Sequence, residues 1–223
     1  MDLVKSYDFF QPESCRERIH IIGCGAVGST VAENLVRFGL TNITLYDFDR
    51  VEAHNIANQM FRNIDIGKPK VEALASMLHD INPAIDSHLE IAPDGYTGQR
   101  MSGYVFLCVD NIDLRREIAT AQKGNRYIKA MFDFRIRLEE GQHYAADWHN
   151  PQMVQNFLNT MQFTHEEAKQ STAVSACNVE LSVAPTVRQI CALGVANFIN
   201  FAKKKPIKKM ILADAFNFSI QAF

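Results

Sequence analysis

Ile19-His20-Ile21-Ile22, Gly23-Cys24-Gly25-Ala26-Val27-Gly28 and Ile43-Thr44-Leu45-Tyr46-Asp47 are the segments whose reading decides the fold. A short apolar run meets a G-x-G-x-x-G turn, an amphipathic helix follows through Phe38, and a second apolar strand ends in an acid. That order is a βαβ nucleotide-binding unit. Gly23 permits the tight turn, Gly25 lets backbone approach a phosphate, and Gly28 lets the helix pack against the sheet. The helix start, Ala26 and Val27 included, aims free N–H groups and the positive end of its dipole at phosphates. Asp47 stands where a carboxylate accepts hydrogen bonds from ribose hydroxyls.

Outward from this unit, His54-Asn55-Ile56-Ala57-Asn58-Gln59-Met60-Phe61 is too polar for a strand or a helix face. It predicts an irregular loop or single turn beside the glycine loop. Gly67-Lys68-Pro69-Lys70 opens an amphipathic helix carrying Val71, Leu74, Ala75 and Leu78, with Pro69 near its first turn. A lysine there opposes the helix dipole unless an anion lies beside it.

Ile85–Ile91 reads as a third short strand and 93–103 as a loop. Tyr104–Val109 is a continuous apolar run, as in a central parallel strand covered on both faces. It ends in Asp110-Asn111, where open α/β sheets bind ligands, and an acid at that place suits a helix N-cap as well as Mg²⁺. Tyr127–Phe134 is a further strand, and 135–148 continues extended and alternating. Residues 150–176 turn polar and irregular apart from a short helix around Val154–Met161, an excursion from the sheet that is expected to be mobile. Leu181–Phe201 is a long apolar helix with Pro185 in its first turn, and Met210–Leu212 and Phe216–Ile220 are closing antiparallel strands. The fold class is therefore α/β: a Rossmann-like, mostly parallel sheet with helices on both faces and antiparallel closing strands, one domain over 1–223.

Composition narrows the function classes. A formal net charge of −2 supplies no global field to recruit nucleic acid or an anionic membrane. No apolar run reaches membrane-spanning length, and Met1-Asp2-Leu3 is unlike a signal peptide. Five scattered cysteines, Cys15, Cys24, Cys108, Cys177 and Cys191, form no C-x-x-C pair. A disulfide framework and a structural zinc are not expected, which suits the cytoplasm. The lysines at 203–205, 208 and 209 read as the charged end of a helix and a loop before a strand.

These residues resemble the ubiquitin-activating-enzyme superfamily in its small bacterial ThiF/MoeB-like form. The resemblance runs through Gly23–Gly28, Asp47-Phe48-Asp49, Asn55, Gln59, Asp65-Ile66-Gly67-Lys68-Pro69-Lys70, Asp110-Asn111 with Arg115, Cys177, Ala184-Pro185 and Asp214. It implies adenylation of the C-terminal carboxylate of a small ubiquitin-like or sulfur-carrier protein, using ATP and Mg²⁺, by a homodimer. By the same resemblance Asp47 holds the ribose, the glycine-loop amides line the phosphates, and Lys70 contacts phosphate oxygens. Asp110 binds Mg²⁺, while Asp49, Asn55, Gln59, Asn111 and Arg115 support the nucleotide. Cys177 aligns with the acyl acceptor of some relatives.

The resemblance departs from the pattern at three places. The usual N-L-x-R-Q loop has Asn58 where the triphosphate-binding arginine stands. The N-terminal R-Y-x-R-Q segment is absent, leaving Arg16, Arg18 or Arg62 as substitutes, and the zinc cysteines of many relatives are missing. A missing transition-state cation is worth several kcal/mol. A nucleotide-binding scaffold, or pseudoenzyme subunit, is therefore the competing non-enzymatic expectation. A NAD-dependent oxidoreductase, which the glycines alone permit, lacks a dehydrogenase acid–base pair in the second half of the chain. Asp133-Phe134-Arg135 reads as a strand-end ion pair at the rim of the site.

Overall fold

The computed structural model describes residues 1–170 and 181–223. Cys177 and the end of the expected 150–176 excursion lie outside the described residues.

Five parallel strands form one half of the sheet: β1 (Ile19–Ile22), β2 (Ile43–Tyr46), β3 (Glu90–Ala92), β4 (Gly103–Leu107) and β5 (Ile128–Arg137). Three antiparallel strands complete it: β6 (Glu140–Asp147), β7 (Met210–Asp214) and β8 (Ser219–Ala222). The order across the sheet is β3-β2-β1-β4-β5-β6-β7-β8. This is the expected α/β architecture, with mostly parallel strands and antiparallel closing ones.

Helices α1 (Ala26–Arg37), α2 (Lys70–Ile81) and α6 (Ala184–Ala202) cover one face, where Val31, Leu35, Leu74 and Phe198 pack on Ile21, Leu45, Phe106 and Phe132. Helices α3 (Ile112–Ala121) and α4 (Pro151–Asn159) cover the other, over Ile22, Val105, Leu107 and Met131. Burial on both faces explains why β1, β2 and β4 are apolar without alternation. Because β1 sits between β2 and β4, the chain leaves β1 toward one face and β4 toward the other. That divergence opens a crevice at the carboxyl ends of the two strands.

Four local expectations are corrected. The third strand is only Glu90–Ala92, because Pro83–Ser87 forms a 3₁₀ turn. Asn82 initiates this turn by accepting the Ala84 N–H, and Ile85 is buried under it instead of joining the sheet. The extended run after Phe134 is a hairpin that turns at Leu138, whose φ is +29°. The stretch after Asn150 holds the expected short helix, as α4, and near residue 170 it is helical again instead of irregular. Asn150 caps α4 with Pro151 in its first turn, Phe157 meets Trp148 edge-on, and α5 spans His165–Gln170. The helix after β4 is capped by Asn111, whose Oδ1 accepts the N–H groups of Asp113 and Leu114, and not by Asp110. The 203–209 lysines do follow the end of α6 and precede β7, as expected.

Candidate functional site: a two-part cavity over the carboxyl ends of β1, β2, β4 and β5

Each glycine of the turn meets a different demand. Gly23 adopts φ +93°, and a Cβ there would lie 2.8 Å from the backbone of Cys108 and Val109 on β4's exit. A Cβ on Gly28 would lie 1.8 Å from the Gly23 carbonyl oxygen, so only glycine allows helix and turn to close. At Gly25 the space is open: the nearest atom to a Cβ is Nε2 of Gln59, 4.0 Å away. Gly25 is also the N-cap of α1 and has no side chain to cap it, so the first-turn amides face the cavity uncapped. A backbone able to approach an anion, at the positive end of a helix, is the arrangement a phosphate needs.

Asp47 leaves β2 beside this turn. Its Oδ2 accepts the Cys24 N–H at 2.6 Å and its Oδ1 the Asp49 N–H at 2.8 Å. These bonds fix the carboxylate at the cavity wall. Asp49 in turn takes the Lys70 ammonium at 2.7 Å, while the Lys70 N–H donates to the Asp49 carbonyl at 2.9 Å. The lysine is the first residue of α2, and its side chain is only 10% exposed. Asp49 is thus the anion that lets a cation sit at the positive end of a helix.

The polar loop forms a 3₁₀ turn, Ala53–Ala57. Asn55 is buried and accepts the Glu52 N–H at 2.9 Å, which shapes the turn. Gln59 projects toward Gly25, and its Oε1 is buried with no hydrogen-bond partner among the described residues. A buried acceptor without a donor costs roughly 1–3 kcal/mol, so a group supplied from the cavity is the natural completion. Asp110 faces the cavity from the end of β4, and its carboxylate makes no hydrogen bond or ion pair among the described residues.

Arg115 is committed elsewhere. Its guanidinium is buried and donates to the Val109 carbonyl, the Phe134 carbonyl and the Asp133 carboxylate. Asp133, fully buried, also takes Arg135 at 2.7 Å. Burial alone would raise the Asp133 carboxyl, but the two guanidinium charges hold it below the ordinary carboxylate range. This Arg115–Asp133–Arg135 cluster ties the ends of β4 and β5 together, and it is more than the strand-end pair read from the sequence.

The cavity measures about 930 Å³ and continues past Asp110 over the open face of β5 and β6. Arg135 forms its floor. It donates to the Thr160 carbonyl and hydroxyl at 2.8 and 2.9 Å and lies 4.4 Å over the Tyr144 ring. Arg137, Phe163, His165 and Lys169 continue the lining. Sequence reasoning missed this half, along with Phe48 and Tyr96 near the glycine loop. Only the D-F-R triplet signalled it, because α4 and α5 bring the remainder in by packing.

The proposed substitutes for the missing arginine point away from the cavity. Arg18 pairs with Glu90 at 2.9 Å, Arg62 with Asp65 at 3.1 Å, and Arg16 bonds the Glu13 carbonyl at 3.0 Å. Asn58 lines the cavity and brings no charge there. Cys15, Cys24, Cys108 and Cys191 are buried, and burial pushes each of these thiols up, Cys15 to about 12. None of the four is a nucleophile at neutral pH. The described residues contain no cluster of three His, Cys, Asp or Glu side chains able to hold a metal alone. None of their helices is long and apolar enough to cross a membrane.

A model of the ThiF family matches residues 10–223. The chain belongs to the ThiF family. This ThiF-family chain is 33% identical over 137 residues to ubiquitin-like modifier-activating enzyme 5 of Bombyx mori, covering 54% of this chain and 34% of the relative. It is 32% identical over 130 residues to the Branchiostoma floridae protein of the same name, covering 50% and 32%. It therefore spans about a third of the length of these curated relatives. Among solved structures, E. coli MccB with ATP superposes with a TM-score of 0.74 at 17% identity, over 95% of this chain and 65% of that one. PaaA superposes at 0.72 and 18% identity, over 100% and 68%. These likenesses establish a shared fold.

Proposed function

We propose that this ThiF-family protein adenylates the C-terminal carboxylate of a protein or peptide tail, using ATP and Mg²⁺ and releasing pyrophosphate. The observation that carries the reading is the convergence on one cavity of the uncapped α1 amides at Gly25, the Asp49-held Lys70 ammonium and the Asp110 carboxylate, which has no partner among the described residues. The cavity then continues beyond them, leaving room for a second substrate.

The acceptor carboxylate is ionised at neutral pH and needs no general base. Its oxygen would attack the α-phosphorus, and the bond to the bridging oxygen would break. Pyrophosphate would depart with that electron pair, leaving an acyl adenylate. What the protein must provide is alignment and positive charge. Gly25, Ala26, Val27 and Gly28 amides and Lys70 supply that charge on the phosphate side. Asp47 orients the ribose, and Gln59 Oε1 is placed to accept a hydrogen bond from the nucleotide. Asn55 completes the wall, Asn111, which is not part of the lining, acts only by capping α3 beside it, and Arg115 acts through Val109 and Asp133 by fixing the strand ends. Asp110 would hold Mg²⁺, with nucleotide phosphates and water as the remaining ligands, and the ion would neutralise charge on the departing pyrophosphate.

Named relatives that activate ubiquitin-like modifiers favour a small ubiquitin-like or sulfur-carrier protein as the acceptor. A homodimer is proposed because Arg16, Arg18 and Arg62 do not reach the cavity of their own chain. A cation from a second copy would replace the one that Asn58 lacks. Cys177 enters this reading as an acyl acceptor after adenylation. The cytoplasm, with its ATP and reducing poise, is the proposed compartment.

The competing reading is a nucleotide-binding scaffold, favoured by the same uncharged Asn58. ATP–pyrophosphate exchange decides between them. Exchange that requires Mg²⁺ and an added carboxylate tail, and that is lost in Asp110→Ala while Cys177→Ala retains it, is the expected result. Tight ATP binding with no exchange across tails would establish the scaffold instead.

A further inference from the structure

Charge is divided along the cavity. Among the described residues the carboxylates of its lining, Asp47, Asp49 and Asp110, all lie at the ends of β2 and β4. Beyond Asp110 the lining carries Arg135, Arg137, His165 and Lys169, with no carboxylate among the described residues. We propose that this half of the cavity reads acidic side chains in the last residues of the acceptor chain, with Arg137 and Lys169 as the specificity-determining cations. The inference rests on the adenylation reading for what occupies that half, and it adds the chemistry of the tail.

Arg135 is already satisfied by Asp133 and Thr160 and is sandwiched near Tyr144 and Phe163, so it serves as a positively charged floor. Arg137 stands two residues further along β5 and so on the same face. Its side chain makes no ion pair or hydrogen bond among the described residues, and the same holds for the Lys169 side chain on α5. Glu140 is opposite Arg137 across the hairpin without an ion pair, and Asp214 is engaged by the Phe216 and Asn217 amides. Independently, Nδ1 of His165 is buried in the cavity wall without a partner among the described residues. Two unpaired cations and an orphaned imidazole nitrogen form a surface complementary to carboxylates. A tail of glycine alone would leave all three unmatched.

The test uses the full chain and two dye-labelled peptides of equal length with the same terminal glycine. One carries two glutamates before that glycine, the other two serines, and binding is followed by fluorescence anisotropy. The glutamate peptide is expected to bind about tenfold more tightly at low ionic strength, with the gap narrowing as salt is added. In the Arg137→Glu/Lys169→Glu variant the preference should pass to a peptide with two lysines. Both positions face solvent or the open cavity, so the melting temperature should stay within a few degrees and report that the variant is folded. Equal affinity of the native chain for the two peptides overturns the inference, as does an unchanged preference in the charge-reversed variant. Glutamate preference without pyrophosphate exchange on any tail would sink the adenylation reading while leaving acidic recognition in place. Exchange that runs equally on serine and glutamate tails would do the reverse.

Discussion

The Lys70 ammonium lies 2.7 Å from Oδ2 of Asp49, at the first residue of α2. A carboxylate from the loop after β2 therefore holds a cation where the helix dipole would repel it. This pair points to a division of labour: Lys70 for phosphate charge, Asp49 for its placement. Lys70→Ala should lower kcat for pyrophosphate exchange by roughly 10²–10³, the loss typical of one preorganised donor. Asp49→Asn keeps the lysine and removes only its tether, so a decline of about tenfold is expected. Steady-state exchange kinetics with varied ATP separate the two, and equal losses would mean that Asp49 itself touches the nucleotide.

Gly25 and Gly28 predict opposite failures. An alanine methyl at Gly28 would occupy the Gly23 carbonyl oxygen, so Gly28→Ala must push α1 off the turn. Overpacking of this kind costs about 3 kcal/mol or more, and the protein should melt several degrees lower. Gly25→Ala meets nothing closer than 4.0 Å and should fold normally. Its methyl stands where a phosphate would approach, so ATP affinity should fall at least tenfold. Differential scanning fluorimetry with and without ATP checks both substitutions. A stable Gly28→Ala protein, or a Gly25→Ala protein that binds ATP normally, would contradict this division.

The same distinction explains what was legible in the sequence. Gly23, Gly28 and Asp47 answer to the backbone of the turn at the end of β1, and Lys70 stands at a helix start, and such fixed places in an element leave motifs. Asp133 and Arg135, two apart on β5, are legible as a pair, but Arg115 joins them only because α3 follows β4, the neighbour of β5 in the sheet, which no spacing records. His165 and Phe163 reach the cavity because α4 packs through Val154, Phe157 and Leu158 and then turns the chain back. Their surroundings are polar in sequence and so resembled a loop. The third strand was overextended because the buried Ile85 belongs to a turn, and burial alone does not distinguish a turn from a strand.

Asp133 binds two guanidinium groups in a place without solvent. Removing its charge leaves Arg115 and Arg135 buried and unmatched, so Asp133→Asn should destabilise the fold by about 3–5 kcal/mol. Its depressed pKa means that the unfolded chain takes up the proton first. The contribution is therefore complete above the ordinary carboxylate value near pH ~4 and is lost as pH falls below it. Urea unfolding at neutral pH measures the first effect. If Asp133→Asn matched the native midpoint, the cluster would be contributing nothing.

His20 and His143 extend that pH dependence upward. Burial lowers each to about 4, and for His20 the Arg18 charge adds to the effect. Their hydrogen bonds suit neutral rings. His143 Nδ1–H donates to the Asp133 carbonyl at 3.1 Å while Nε2 accepts from the Asn197 amide at 3.1 Å. His20 Nδ1–H donates to the Tyr46 hydroxyl at 2.8 Å. Between about pH 6.5 and 4 the unfolded chain binds two protons that the folded one refuses, so stability is full above that window and falls through it. The slope expected near pH 5 is roughly 2–3 kcal/mol per pH unit for the pair, since each proton contributes about 1.4 kcal/mol per unit. His20→Asn should remove about half of it, whatever its effect on stability at neutral pH. Urea midpoints at pH 7, 6 and 5 give the slope directly, and an equally steep slope in the variant would show that His20 is not one of the two groups.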